Sequence, residues 1–523
     1  MTTSIHNFIK KTKITTLLRI IFLINLIIAI SPLFIGEIKF HTDIARDFLL
    51  FDEIVKKKIV LIGPRASGLD GFFHGPLWLY LNIPFYIIGK GNPIIIGWGW
   101  IIMTISILFI TKNLIGKIIK QKYSALLFIT LFLTIFALHL NGLYNPYGAL
   151  FLTIPFILVL YYYLETNKEK FLFISLIILG LMIHLQIATA GPFLISSLFI
   201  IIFKIIKNRS FSHLKSLLAI PLTTITYLLF DLRHNFQLSK SLLTYIKGTT
   251  NAIPLDTQTV ILNRLNIMSN EGIDFFNSYY LNFIILILFL LTAIILILKL
   301  KNKNKLKTQE QVFLLTFYFY ITFYFFSILH KGWLLYHYFL PTMSLPIFLL
   351  SVGTTLVEKK LKRIYIILTS IIIFTWTIHN IQEWKNLKNS IGQDENSWTY
   401  QSKIAQTVFE QNDREFGFFI FSPDILAYQT KASMNYYIKR YPNTKVFIYE
   451  KRPVTYLIIA PPPSDKPWLN YSSWKESKVN LTKEPIWKKQ IPPVGYTIEK
   501  YKLDKKDLEI PTDPNINDWI HYR

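Results

Sequence analysis

The sequence predicts a polytopic α-helical membrane protein with a small α/β domain at its C-terminal end. Hydrophobic residues make up 52% of the 523 residues and charged residues only 17%, whereas soluble proteins average about 25% charged residues. Apolar stretches that are long enough to cross a bilayer, about 17–25 residues, recur through residues 1–380 but not through residues 381–523. We therefore expect a transmembrane domain over residues 1–380 and a second domain over residues 381–523.

The apolar stretches predict eleven transmembrane helices. A further stretch, residues 76–89, is too short to cross a bilayer and begins at a proline, so we expect a juxtamembrane or re-entrant helix there. Two stretches that meet at Gly191-Pro192 form either two spans or one long helix, and one long helix would reverse the side of every later loop. The predicted spans lie near residues 14–36, 93–112, 123–143, 147–164, 171–189, 191–206, 214–231, 279–300, 311–329, 335–353 and 363–379.

Lysine-rich loops orient these helices. With the N-terminus in the cytoplasm and residues 76–89 on the outer side, five lysine clusters between spans fall on the cytoplasmic side, as the positive-inside rule requires. An odd number of spans then places the C-terminal domain outside the cytoplasmic membrane. The clusters lie within residues 112–122, 168–170, 204–215, 299–307 and 359–363.

The composition excludes several classes of function. Because the chain contains no cysteine, disulfides, thiolate nucleophiles and zinc–thiolate sites are excluded. The lysine loops explain much of the net charge of +25, so we expect no nucleic-acid partner. The first span is longer than a signal-peptide core and lacks a small-residue cleavage site, which predicts an uncleaved helix.

The C-terminal domain has the pattern of a small α/β fold. It is polar and rich in Trp and Tyr, and a proline run at residues 461–463 ends one of its apolar stretches. Its periodicity predicts helices at residues 401–411 and 427–441, and strands at residues 416–422, 445–449, 454–460 and 495–502.

Polar and ionisable side chains collect at the outer ends of five predicted spans. Such groups are costly at membrane depth and usually face a cavity or a partner. Their convergence on one face predicts a polar cavity that opens outward, with the first outer loop, residues 37–92, at its edge. The residues are Asp43, Arg46, Asp47, Arg65 and His74 in that loop, Tyr144 and Asn145, His184 and Gln186, Arg233 and His234, and His337.

Each of these residues also has a simpler interpretation. Asp43 and Arg46 form an ordinary salt bridge at a helix start in one alternative, and His184 is a hydrogen-bonded core histidine in another. Arg233 and His234 are placed to extend toward lipid headgroups, and Tyr144 suits an aromatic belt. The functional interpretation depends on the convergence of the group and not on any one residue.

Several segments resemble the C-type glycosyltransferases, in particular the protein-mannosyltransferase and aminoarabinose-transferase group, glycosyltransferase family 39. An acidic residue follows the first helix in that family, and Asp43 matches it by position. The segment His74-Gly75-Pro76-Leu77 is similar to the family's His-Pro-Pro-Leu, with Gly75 in place of the first proline. Residues 230–235 and 336–341 also resemble segments of bacterial relatives, so that the resemblance covers about residues 10–350.

One departure from the family pattern concerns the acidic residues. No Asp-x-Asp or Asp-Glu pair comes directly after the first span, and the acidic residue after Asp43, Asp47, comes four positions later. That spacing places both carboxylates on one face if the segment is helical.

The resemblance implies an inverting transfer of a hexose or pentose from a polyprenyl-phosphate donor to a protein, lipid or glycan acceptor at the outer membrane surface. It implies Asp43 as the base, with Asp47 as a reserve base or an acceptor-positioning group. Arg233 is our first candidate for donor phosphate, since a guanidinium binds phosphate bidentately. Arg65, His74, His234 and His337 are second candidates for the phosphate. The predicted cavity residues are Arg46, Tyr144, Asn145, His184 and Gln186.

No cofactor is required by this chemistry, although a divalent cation is compatible with it. A transporter or flippase of lipid-linked sugars is the main alternative, because it would also need an outward polar cavity. Transporters favour internal repeats and charges near the bilayer midplane, and neither is evident in the sequence. A scaffold protein whose outer domain binds a partner is a third alternative, which would leave the charged first loop unexplained.

Overall fold

A computed structural model describes residues 2–66, 71–246, 255–302, 305–424 and 426–517 of the chain. The α-helices in these ranges are α1 (Thr2–Phe34), α2 (Thr42–Lys57), α3 (Leu77–Ile88), α4 (Pro93–Ile118), α5 (Lys122–Phe136), α6 (Asn145–Thr166), α7 (Glu169–Leu185), α8 (Ile187–Asn208), α9 (Ala219–Thr223), α10 (Ile225–Arg233), α11 (Gln237–Ile246), α12 (Thr257–Ser269), α13 (Tyr279–Lys301), α14 (Thr308–Ser327), α15 (Tyr336–Phe339), α16 (Ser344–Gly353), α17 (Lys359–Ser390), α18 (Trp398–Phe409), α19 (Tyr428–Arg440), α20 (Ser472–Trp474) and α21 (Lys505–Glu509). The strands are β1 (Glu415–Phe421), β2 (Lys445–Ile448), β3 (Val454–Ile459), β4 (Trp487–Ile491) and β5 (Tyr496–Lys502).

The polytopic membrane architecture predicted from the sequence is confirmed. Each of the eleven predicted spans coincides with a helix or with consecutive helices. Among the described residues, seven helices are long and apolar enough to cross a membrane, namely α1, α4, α5, α6, α8, α13 and α17. An eighth span results if the segment Phe211–Arg233, bent by 60° between α9 and α10, crosses as one unit. The other predicted spans correspond to α7, which has 17 residues, to α14, which begins with a polar turn, and to the interrupted pair α15 and α16.

The short apolar stretch after the first loop forms the 12-residue helix α3. Helices α7 and α8 are separate, but the break between them is not at Gly191-Pro192 as the sequence suggested. It lies at Gln186, whose backbone is extended with φ −156° and ψ 91°. Pro192 lies inside α8, so this proline did not mark a helix end.

The helices run back and forth between two ends of a bundle, and α2 lies at one of them, which we call the α2 end. The lysine-rich connections of the chain lie at the opposite end, where side chains join them to one another. Lys299 Nζ lies 2.7 Å from Glu310 Oε1 across the α13–α14 connection, and Ser351 Oγ donates to Ser124 O at 2.9 Å.

A buried polar network joins three helices within the bundle. Asn380 Nδ2 of α17 donates to Asn25 Oδ1 of α1 at 2.7 Å and to Thr134 O of α5 at 2.7 Å. Asn25 in turn donates to the Thr134 hydroxyl at 3.2 Å. Interhelical hydrogen bonds of this kind stabilise helix packing in membranes, where each contributes about 1 kcal/mol.

The C-terminal part of the chain contains the predicted small α/β unit. Its five strands form one sheet in the order β2-β1-β3-β5-β4, in which β1 pairs in parallel with β2 and β3, and the β3–β5 and β4–β5 pairs are antiparallel. Strand β4 was not predicted, because Lys488 and Lys489 interrupt its apolar pattern at the exposed edge. Helix α17 continues past the predicted boundary at residue 380 and ends at Ser390.

This unit is docked firmly on α2. Lys439 of α19 forms an ion pair with Asp52 of α2, and Asn435 and Tyr86 donate hydrogen bonds to the same carboxylate. Near the other end of the contact, Gln429 Nε2 donates to Thr42 Oγ1 at 3.2 Å. Helix α2 is therefore held between the bundle and the C-terminal domain.

Candidate functional site

Helix α2 is amphipathic and begins with an acidic turn. Asp43 lies in its first turn and Lys56 and Lys57 in its last, a distribution that stabilises a helix through its dipole. Apolar side chains on more than one side of the helix, such as Phe48 and Leu50, are buried. The four-residue spacing of Asp43 and Asp47 places both carboxylates beside the same arginine.

Arg46 joins the two carboxylates. Its Nη1 lies 2.7 Å from Asp43 Oδ1 and its Nη2 lies 3.0 Å from Asp47 Oδ1. Trp78 Nε1 of α3 donates to the other oxygen of Asp47 at 2.9 Å. The exposed fraction is 43% for the Asp43 side chain, 12% for Arg46 and 2% for Asp47. Asp47 is thus a buried anchor, and Asp43 presents its carboxylate to open space.

Two histidines and a tyrosine from other parts of the chain lie around this ion pair. The Tyr144 ring is 5.4 Å from the His41 ring and 6.1 Å from the His337 ring, measured between centroids. Burial, together with the charges of Arg46 and His337, lowers the pKa of His74 to about 4, although the charge of Asp43 opposes this shift. His74 is therefore neutral at physiological pH, and it faces the same space as the ion pair.

Two side chains at this site were not predicted to take part. Trp78 fixes Asp47 and directly follows residues 74–77, the segment that resembles the family motif, so the sequence contained a signal next to that segment. Tyr428 lies in the first turn of α19, and the charges of Arg46 and Asp43 influence the pKa of its hydroxyl. No local pattern indicates that role, because the C-terminal domain reaches α2 only through tertiary contacts.

Three predicted cavity residues lie one layer behind the ion pair. Gln186 Nε2 donates to His337 O at 2.6 Å, and Asn145 Nδ2 donates to Leu185 O at 2.6 Å. The His184 Nε2 atom lies 2.8 Å from Thr223 O, and its ring fills the space where a Cβ on Gly75 would stand. These contacts fix the backbone that presents His74 and His337.

The remaining predicted phosphate-binding residues belong to a neighbouring group. Arg65 pairs with Phe73 in an antiparallel bridge, and the Phe73 ring packs 5.8 Å from Phe230 of α10. At the end of α10, His234 stacks on Phe230 with 4.0 Å between ring centroids. Arg233 is exposed and, within the described ranges, has no hydrogen-bond or ion-pair partner. The bundle thus presents an uncommitted guanidinium on the helix that packs against the first loop.

Among the described residues, no group of three or more His, Asp or Glu side chains is arranged to hold a metal ion. The charges at the site are instead provided by arginine and by the two α2 carboxylates.

A membrane bundle with an acidic α2 after its first span and a small α/β domain docked on that helix has the architecture of the C-type glycosyltransferase fold. The fold that the sequence resemblance implied is confirmed by comparison with solved structures.

The comparison is with ArnT from Cupriavidus metallidurans, an aminoarabinose transferase crystallised with undecaprenyl phosphate bound. The two structures superpose with a TM-score of 0.54 over 94% of this chain and 98% of that chain, at 9% sequence identity. At this identity the likeness concerns the fold. No family model and no curated protein matches the sequence.

Proposed function

We propose that this protein transfers a sugar from a polyprenyl-phosphate-linked donor to an acceptor at the outer surface of the cytoplasmic membrane. The observation that supports this proposal best is the Asp43–Arg46–Asp47 arrangement, in which one carboxylate is buried as an anchor and the other is presented to open space. It lies at the α2 end of a fold that ArnT, crystallised with undecaprenyl phosphate, also has.

In the proposed reaction Asp43 acts as the base. It accepts the proton of the acceptor hydroxyl as the hydroxyl oxygen attacks the anomeric carbon, and the bond from that carbon to the donor phosphate breaks with inversion. Arg46 fixes the direction of Asp43, because Asp47 holds the guanidinium from the other side and Trp78 Nε1 in turn donates to the Asp47 carboxylate. Preorganisation of this kind keeps the base within reach of its proton.

The departing polyprenyl phosphate needs cationic or hydrogen-bonding partners. Arg233 remains our first candidate, since it is exposed and not engaged by another described side chain. Arg65, His74, His234 and His337 remain second candidates. Tyr144, Asn145, His184 and Gln186 are proposed to shape the cavity, either directly or through the backbone that they hold.

Substitution of Arg233 separates phosphate binding from folding. We expect Arg233→Ala to raise the donor KM about tenfold or more, because a hydrogen bond to a charged group contributes about 1.5–3 kcal/mol. Steady-state kinetics with a labelled polyprenyl-phosphate sugar measure this change. Arg209→Ala is the matched control, since Arg209 is an exposed arginine at the lysine-rich end of the bundle. Equal effects of the two substitutions would contradict the assignment.

The ionisation of the buried Asp47 carboxylate predicts that the transfer rate depends on pH. Burial raises the pKa of Asp47 to about 6, although Arg46 opposes this shift, so Asp47 is ionised at pH 7 and takes up a proton as the pH falls through 6. Protonation weakens its hold on Arg46, and we therefore expect the transfer rate to fall below pH 6. Rate profiles of the wild type and Asp47→Asn test this: the variant should be slower at pH 7 and lack the step near pH 6. The same step in both proteins would exclude Asp47 as its origin.

The proposed function is tested by sugar release from a labelled polyprenyl-phosphate sugar by purified protein. Release across a panel of hexose and pentose donors supports a transferase. If no donor is hydrolysed or transferred, but reconstituted vesicles move lipid-linked sugar across the bilayer, the flippase alternative is supported instead.

A further inference from the structure

A second cavity lies beside the ion-pair site, where the end of α1, the turn after α5 and the end of α17 meet. Its volume is about 440 Å³, within the range of about 300–1,000 Å³ that small-molecule sites occupy. The segment that leads into the C-terminal domain, through Asn396 and Ser397, closes one side of it. Nothing in the reaction proposed above uses this cavity.

One wall contains a buried polar atom without a partner. Asn141 lines the cavity and is only 8% exposed, and its Oδ1 accepts no hydrogen bond from any described residue. An unpaired buried acceptor is unfavourable, and a ligand that brings a donor group removes that penalty. The complement of this atom is a hydroxyl or an amide N–H.

The cavity lining also includes an aromatic ring. Trp384 of α17 lines the cavity and is 44% exposed, with Glu383 beside it in sequence. A half-exposed indole offers an apolar face, and the adjoining carboxylate offers two acceptors for hydroxyl groups. An aromatic face flanked by acceptor oxygens matches a sugar ring, which has C–H groups on its faces and hydroxyls at its edges.

The charges at the cavity argue against an anionic ligand. Glu383 and Asp394 contribute two carboxylates and Lys39 one ammonium group. Glu37 also lines the wall, but its two oxygens are engaged by Ser397 Oγ and by the Ile38 and Trp398 N–H groups. Burial lowers the pKa of His41, which keeps this histidine neutral at pH 7. The balance of charge is therefore negative, and a phosphate group is disfavoured.

His41 connects this cavity to the ion-pair site. It lines the cavity, its ring lies 5.4 Å from that of Tyr144, and it precedes Asp43 by two residues. We propose that the cavity is the acceptor subsite, and that it binds a neutral, hydroxyl-rich sugar of the acceptor and presents it past His41 to Asp43. The link to Asp43 rests on the proposed function, whereas sugar binding in the cavity does not.

Saturation-transfer NMR on the full-length protein tests this proposal. The protein is placed in phosphatidylcholine nanodiscs, because a detergent with a sugar headgroup would compete. Mannobiose and N,N′-diacetylchitobiose serve as neutral probes, and glucose 6-phosphate serves as the anionic probe. We expect the wild type to bind at least one neutral disaccharide and to prefer it to glucose 6-phosphate.

The variants locate the binding site. Trp384→Ala and Asn141→Leu should each raise the Kd for the disaccharide about tenfold. This is the loss of affinity expected when one stacking contact or one hydrogen bond is removed. Trp468→Ala is the matched control, since Trp468 is an exposed tryptophan that does not line the cavity.

The outcomes separate the two proposals. Disaccharide binding that depends on Trp384, in a protein that releases sugar from no polyprenyl-phosphate donor, would retain the subsite and reject the transferase. The subsite is overturned if no neutral disaccharide binds, if glucose 6-phosphate binds better, or if Trp384→Ala and Trp468→Ala behave alike.

Discussion

Asp43→Asn is expected to lower the rate of sugar transfer by about 10²–10⁴-fold, the contribution typical of a positioned general base. An amide keeps the size of the side chain and can accept from Arg46 through Oδ1, but it cannot take a proton from the acceptor hydroxyl. Because Asp43 is 43% exposed, its substitution leaves no buried unpaired group. The measurement is sugar release and transfer from a labelled polyprenyl-phosphate sugar at saturating donor.

The matched control for this prediction is Asp424→Asn. Asp424 is an exposed aspartate of the C-terminal domain that bonds to the hydroxyl of Ser422 at 2.6 Å and makes no contact with Arg46. It should retain transfer near the wild-type rate. Full activity in a folded Asp43→Asn protein would reject Asp43 as the base and leave Asp47 as the reserve candidate.

The second large effect is expected from Gly75→Ala. A Cβ at this position would stand 1.8 Å from His184 Nδ1 and 2.5 Å from His184 Cγ. The histidine cannot move aside easily, because its Nε2 bonds to Thr223 O at 2.8 Å and its ring packs 5.2 Å from that of Tyr227. Overpacking of this kind costs about 1–3 kcal/mol or more. We expect a clear drop in the thermal unfolding midpoint and a loss of transfer.

Two further variants make this prediction specific. Gly116→Ala in α4 is the control, since a Cβ there meets nothing within 4 Å and alanine favours a helix over glycine by about 1 kcal/mol. In Gly75→Ala combined with His184→Ala, the space released by the imidazole accepts the new methyl group. The double variant should therefore be more stable than the sum of the single effects predicts. If the stability effects of the two substitutions were strictly additive, the clash with His184 would not be the cause of the destabilisation by Gly75→Ala.

This steric requirement also explains the departure of the sequence from the family's His-Pro-Pro-Leu segment. The position after His74 is packed against the imidazole of His184, from a helix more than one hundred residues later in the chain. A proline ring would need more room than a methyl group. Gly75 and His184 are thus parts of one structural feature, which the sequence alone shows as two unrelated residues.

The parts of the fold that the sequence predicted well are those set by local pattern. Apolar stretches located the membrane helices, and alternation and turn residues located four of the five strands. The errors arose where tertiary contacts decide. The break at Gln186 is stabilised by its bond to His337 O, and strand β4 forms only because β5 offers a partner.

In the candidate site, too, local sequence patterns predicted some features, whereas tertiary contacts determine the others. The spacing of Asp43 and Asp47 indicated a shared helical face, and the structure adds Arg46 as the group between them. No spacing rule indicates that Tyr428 approaches Arg46, or that Arg233 lies on a helix packed against the first loop. Those relationships depend on how α19 and α10 dock, and distant contacts such as Lys439 with Asp52 determine that docking.

The clamp between Lys439 and Asp52 has a consequence for biosynthesis. Helix α2 leaves the ribosome early, but its partner α19 follows almost four hundred residues later. While the chain is being inserted, Lys439 and Tyr428 have not yet been synthesised. Helix α2 and its charged first turn therefore lack these two neighbours. The contacts that hold α2 against α19 can therefore form only after the C-terminal domain has been synthesised and has folded against the first loop.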